Sequence, residues 1–194
     1  MITLLFVEER TLVGKLIRLF TDFKSTIKGQ FVPSHVALVT PTSRREAPLY
    51  ENLPKKCGVI EMLGAPYGLV KSEMGSWLAR NGKKRARVVE VYIEPMYGVG
   101  SNKRTYDAYD IATDGGEWIA YEKLGDFAKM AIHRNPDNTS TMTCSEYVAR
   151  IMNGLRPSQF SDPENTSPED VFNWATADHR RCHEYPLSWI VNGQ

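Results

Sequence analysis

Residues 2–7 (Ile-Thr-Leu-Leu-Phe-Val) are apolar with one break, short enough for a strand. From Thr11, a fitting N-cap, Leu12, Leu16, Leu19, Phe20 and Phe23 recur at helical spacing, which predicts a helix to about residue 23 or 24. Residues 35–40 (His-Val-Ala-Leu-Val-Thr) follow Pro33 and are β-branched enough for a buried strand. Residues 41–56 are polar and carry Pro41, Pro48 and Pro54, the pattern of a loop. A strand is predicted over 57–63, a turn at Gly64-Ala-Pro-Tyr-Gly68, a short helix over 71–80 and an alternating strand over 87–93 that stops at Pro95.

Residues 96–116 hold Tyr97, Tyr106 and Tyr109 among Gly and Asp and match no template. A helical pattern over 117–133 is interrupted at Gly125, and 135–143 is a polar connector. Residues 144–153 predict a helix with Gly154 as its C′ residue. Ser167-Pro-Glu-Asp170 starts another, with Ser as N-cap, Pro in the first turn and an acid three residues on. Residues 187–191 suit a final strand. Strands gather in the first half and helices are interspersed, so the expected fold is α+β with a small, mostly antiparallel sheet, in one domain over residues 1–194.

Composition narrows the function more than the fold. With 42% hydrophobic and 24% charged residues, the 194-residue chain is ordinary for a globular domain. A net charge of +1 favours neither nucleic acid nor an anionic membrane. Lys55-Lys56 and Lys83-Lys84-Arg85 have no interleaved aromatics and read as solvated loop charges. No glycine-rich phosphate loop occurs. The first ten residues have early acids and no basic stretch, unlike a signal peptide. Three Cys, an odd number, then argue for free thiols in a reducing, cytoplasmic setting. His179, Cys182 and His183, with Cys57 as a distant fourth ligand, lack the second Cys pair of a zinc finger and read as a basic, solvated segment. His133, near a predicted helix end, reads as structural. No metal or cofactor is expected.

The chemistry lies in Cys144 and His35. A thiol attacks as thiolate and, with an ordinary pKa of about 8.5, needs help near neutrality. A helix N-terminus provides roughly half a positive charge, and its N–H groups suit an oxyanion. Cys144 stands at a predicted helix start and His35 at a predicted strand start. If strands 35–40 and 57–63 pair, Glu61 falls on the same side as His35 and can orient the ring. Each residue alone has a plainer reading: Cys as a small buried hydrophobe, His and Glu as structural partners.

Four spaced blocks carry a resemblance: Leu16-Ile-Arg-Leu-Phe-Thr21, Pro33-Ser-His-Val-Ala-Leu-Val39, Val59-Ile-Glu-Met62 and Thr143-Cys-Ser-Glu-Tyr-Val148. Together with Thr166-Ser-Pro-Glu-Asp-Val171, this order resembles the circularly permuted branch of the NlpC-like papain superfamily, which includes YiiX-like proteins and lecithin retinol acyltransferase. The resemblance implies a permuted papain-like core with the nucleophile-bearing helix packed on the sheet. It implies Cys144 as nucleophile, His35 as base and Glu61 as orienting residue, in a thiol hydrolase acting on a peptide or acyl-amide. Acyltransferase relatives carry a second His where Glu61 stands, which places this chain nearer the YiiX-like side. Tyr121 is the candidate for the Tyr near the oxyanion site in NlpC-like enzymes. The long polar stretches 41–56 and 96–116 depart from the compact pattern. A cell-wall substrate would require release without a signal sequence, for example by phage-encoded lysis. Two rivals remain: lipid acyl transfer or hydrolysis, with membrane association through the 12–23 helix, and a non-catalytic binding or virion-structural protein.

Overall fold

The computed structural model describes residues 2–9, 30–40, 58–63, 67–91, 120–121, 141–156, 158–177 and 182–187. The readings at 11–24, 41–57, 92–116 and 122–133, and the Gly64-Ala-Pro part of the expected turn, lie outside those residues.

Among the described residues, six strands form one antiparallel sheet: β1 (Ile2–Glu8), β2 (His35–Thr40), β3 (Gly58–Leu63), β4 (Gly68–Glu73), β5 (Arg85–Val91) and β8 (Cys182–Pro186). Their order is β4-β3-β2-β1-β5-β8. β1 lies inside the sheet, and both of its faces are covered. Leu4, Leu5, Phe6 and Val7 are all fully buried, which explains the nearly unbroken apolar run where a one-sided strand would alternate.

The two faces have separate cores. Leu4, Phe6, Val36, Leu38, Ile60, Met62 and Val89 pack beneath helices α2 (Cys144–Leu155) and α3 (Pro168–Thr176). Leu5, Val7, Ala37, Val39, Val59 and Val88 pack with helix α1 (Met74–Asn81) through Met74 and Trp77. Ser167 and Asp170 form the expected capping box at the start of α3. Arg150 of α2 pairs with Glu146 one turn back and with Glu164 of the 3-10 helix Pro163–Asn165, tying these segments together.

Several expectations need correction. Residues 68–73 form β4, hydrogen-bonded to β3, so the expected 71–80 helix loses its first three residues and starts at Met74. The turn before β4 uses Gly68 at a φ of 65°, a conformation glycine adopts without a steric penalty. Gly154 lies inside α2, and the cap is Arg156; at an exposed position a glycine weakens a helix without ending it. Ala120–Tyr121 (β6) is a strand paired parallel with Thr141–Met142 (β7), not part of a helix. Cys182 is buried in β8 against Val91 of β5, so this part of the expected solvated segment is instead an edge strand; of the strand expected over 187–191, Leu187 is not in a strand and 188–191 lie outside the described residues. Lys84 and Arg85 are ion-paired with Glu9 and Glu8, rather than free loop charges.

Candidate active site

Pro33-Ser-His opens β2 in a firmly held way. Ser34 is buried; its N–H donates to the Val7 carbonyl at 2.9 Å, and its Oγ accepts from the Glu9 N–H at 2.8 Å. These bonds fix the backbone one residue before His35. β2 and β3 pair with Ala37 opposite Glu61, so His35 and Glu61 are diagonal neighbours on one face. His35 Nε2 and Glu61 Oε2 are 2.9 Å apart, and the carboxylate is 1% exposed.

Cys144 comes from the other layer. It is the first residue of α2, and β7 leads straight into it. Thr143 is the N-cap; its Oγ1 accepts from the Glu146 N–H at 3.1 Å. Cys144 packs in the α2–α3 core and is 2% exposed, yet its side chain hydrogen-bonds His35. With Nε2 on Glu61, Nδ1 is the ring nitrogen left for the thiol. The site therefore spans the sheet: Glu61 on the α1 side, Cys144 on the α2 side, and His35 at the strand's first residue between them.

Electrostatics follow from this arrangement. Burial alone would lower the His35 pKa, but the charge and hydrogen bond of Cys144, then the hydrogen bond and charge of Glu61, outweigh it and push it up to about 10. Burial would raise the Glu61 pKa, but His35 and then Arg80 outweigh it and hold the carboxyl below its ordinary value.

Arg80 is a residue that sequence reasoning missed. It sits in the last turn of α1, and its Nη2 donates to Glu61 Oε1 and, at 3.3 Å, to Ser72 Oγ of β4. A surface arginine on a short helix has no local signature of such a role; only a known α1–β3 contact could have revealed it. Tyr121 was expected near the site. Its backbone is in register with Met142, two residues before Cys144, which puts β6 beside the helix start.

These shifts set the pH dependence of stability. A histidine with a raised pKa stabilises the fold fully below its ordinary 6.5 and loses that contribution as pH rises towards about 10. A carboxyl with a lowered pKa contributes fully above its ordinary 4.5 and loses its contribution as pH falls below that. The stability advantage of the wild type over His35→Gln is thus expected to be largest between pH 4.5 and 6.5 and to shrink on both sides. Urea midpoints across pH 3.5–10 check this, and a difference independent of pH would refute it.

Among the described residues, no three His, Cys, Asp or Glu side chains cluster as a metal site, and no helix is long and apolar enough to cross a membrane. No family model and no curated protein matches the chain. A solved structure to which it is similar is that of the metalloprotein YiiX from Escherichia coli O157:H7, at 16% identity and a TM-score of 0.39. The match covers 79% of this chain and 64% of that one, so the chain spans less than two thirds of YiiX.

Proposed function

We propose that this protein is a cysteine hydrolase of a permuted papain-like fold, cleaving a peptide, isopeptide or other acyl-amide through a thioester on Cys144. The observation that carries the reading is His35, bonded to the Glu61 carboxylate on one side and to Cys144 at a helix start on the other. In this mechanism His35 takes the thiol proton and the sulfur attacks the carbonyl carbon. The electron pair passes to oxygen, where the N–H groups of the first turn of α2 face the developing charge. As the carbonyl re-forms, the C–N bond breaks and His35 delivers its proton to the departing nitrogen. Water, deprotonated by His35, then attacks the thioester and releases Cys144 and the acid. Glu61 keeps the ring oriented and stabilises the imidazolium throughout. Tyr121 joins as a candidate oxyanion donor because its strand borders the helix start.

A panel of peptide amides, cell-wall peptides and acyl lipids tests this, with covalent species trapped by acid quench and mapped by mass spectrometry. The expected result is an acyl adduct on Cys144, absent in Cys144→Ala, with turnover of an amide. An adduct formed only from acyl lipids would favour lipid acyl chemistry. No adduct and no turnover, with Cys144 no more reactive than Cys182, would leave the binding-protein reading.

A further inference from the structure

We propose that Arg80 is a fourth, positioning member of this site, holding Glu61 ionised and turned towards His35 so that the shared proton stays on the ring. The inference rests on the nucleophile reading above and adds the group that governs the state of its carboxylate.

The geometry is specific. Glu61 is 1% exposed and both of its oxygens are used: Oε2 by His35, Oε1 by Arg80. The helix that carries the arginine is well anchored. Trp77 and Met74 of α1 are buried against the sheet, and Asn81 Nδ2 donates to the Trp77 carbonyl at 3.2 Å. The helix closes where the Gly82 N–H meets the Leu78 carbonyl; a Cβ at Gly82 would sit 2.7 Å from that oxygen, so the close approach suits glycine alone. Nη2 is also held by Ser72 Oγ on β4, which limits the swing of the guanidinium.

The groups around Glu61 leave Arg80 a distinct task. On β4 the residue opposite Glu61 is Val70, and Ser72 shares its face; Lys71 and Glu73 alternate to the other side. From β2 comes His35, with Cys144 beyond it. From α1 comes Arg80, the one charged residue in that helix. At the neighbouring end of β1, Glu8 and Glu9 are engaged by Arg85 and Lys84. The resulting row runs from the Cys144 side chain through the His35 ring and the Glu61 carboxylate to the Arg80 guanidinium. A carboxylate with the imidazolium as its sole cationic partner would compete with the ring for the proton. A second cation on its far oxygen weakens that competition, and an arginine keeps its charge across any pH at which proteins fold.

The test needs no natural substrate. Iodoacetamide alkylation of Cys144 is followed by mass spectrometry from pH 4 to 9 in wild type, Arg80→Met and Arg80→Lys, with urea midpoints to check folding. Losing an opposite charge typically moves a carboxylate by one to three pH units, so Arg80→Met is expected to react about tenfold more slowly at pH 5 yet nearly as fast as wild type at pH 8. Arg80→Lys is expected to restore most of the acid limb. A profile for Arg80→Met that overlays wild type, or that is lowered equally at every pH, would overturn the role. A wild-type Cys144 no more reactive than Cys182 would instead sink the nucleophile reading, and this inference with it. The two failures are thereby told apart.

Discussion

Replacing His35 with alanine is expected to lower turnover of an amide substrate by about 10² to 10⁴-fold, the usual contribution of a positioned acid–base group. His35 is the hinge of the site because its two ring nitrogens serve different layers of the protein. Nε2 meets a carboxylate from β3, and the thiol of α2 bonds the same ring. On the proposed mechanism, alanine removes the proton acceptor and the cation beside the sulfur, and with them the partner of Glu61. Alkylation of Cys144 at pH 6.5 is therefore expected to slow as well, while Cys182, buried in β8 away from the ring, keeps its rate. A small reagent suits the measurement because Cys144 is only 2% exposed. Equal alkylation rates in wild type and His35→Ala would show that the ring does not activate the thiol, whatever the distances. Glu61→Gln keeps an acceptor oxygen for the ring but removes the charge, and is expected to fall between the two.

The largest effect on stability is expected from Phe6→Ala, a loss of about 3–5 kcal/mol. Phe6 lies on β1 between β2 and β5 and is fully buried. Its ring meets Phe172 of α3 edge-on, with centroids 5.1 Å apart, and Phe172 in turn meets Phe31 at 5.2 Å. Arg85 and Arg87 lie over the Phe31 ring, so this aromatic group joins the sheet, α3 and the start of the β2 segment. Truncation would leave a cavity at a point bounded by strands on both sides, where collapse is least able to fill it. Against a typical total stability of about 5–15 kcal/mol, such a loss is a large share. Urea unfolding checks it: the midpoint should fall with the slope unchanged. Tyr67→Ala, at 71% exposure, serves as the control and is expected to stay within about 0.5 kcal/mol. Equal midpoint shifts in the two variants would contradict the assignment of Phe6 to the core.

Much of the architecture is legible along the chain because its causes are local. Periodicity and β-branching place the strands at Ile2–Glu8, His35–Thr40, Gly58–Leu63 and Arg85–Val91 to within two residues. Ser167 marks the start of α3, because a cap satisfies backbone N–H groups within its own turn, and α2 starts at Cys144 as its pattern predicts. That His35 and Glu61 could share a face was readable on the condition that their strands pair, and the register with Ala37 opposite Glu61 meets that condition.

Other features rest on partners distant in the chain. Residues 120–121 fit a helical pattern, yet they pair with Thr141–Met142, because a ladder bond formed by folding outweighs a weak local preference. β8 is a strand because β5 offers it an edge, and its own residues, Cys-His-Glu-Tyr-Pro, alternate too little to announce it. Arg80 carries no sign of its role until α1 lies across β3 and β4. By itself, then, the sequence determined where α2 and α3 begin, where β1, β2, β3 and β5 run and which groups to propose as nucleophile, base and orienting acid, since those follow from side-chain shape and backbone hydrogen bonding nearby. Only the tertiary structure decided that Cys144 and Glu61 reach the same imidazole from opposite faces of the sheet, with a guanidinium behind the carboxylate, since those contacts depend on how the layers pack.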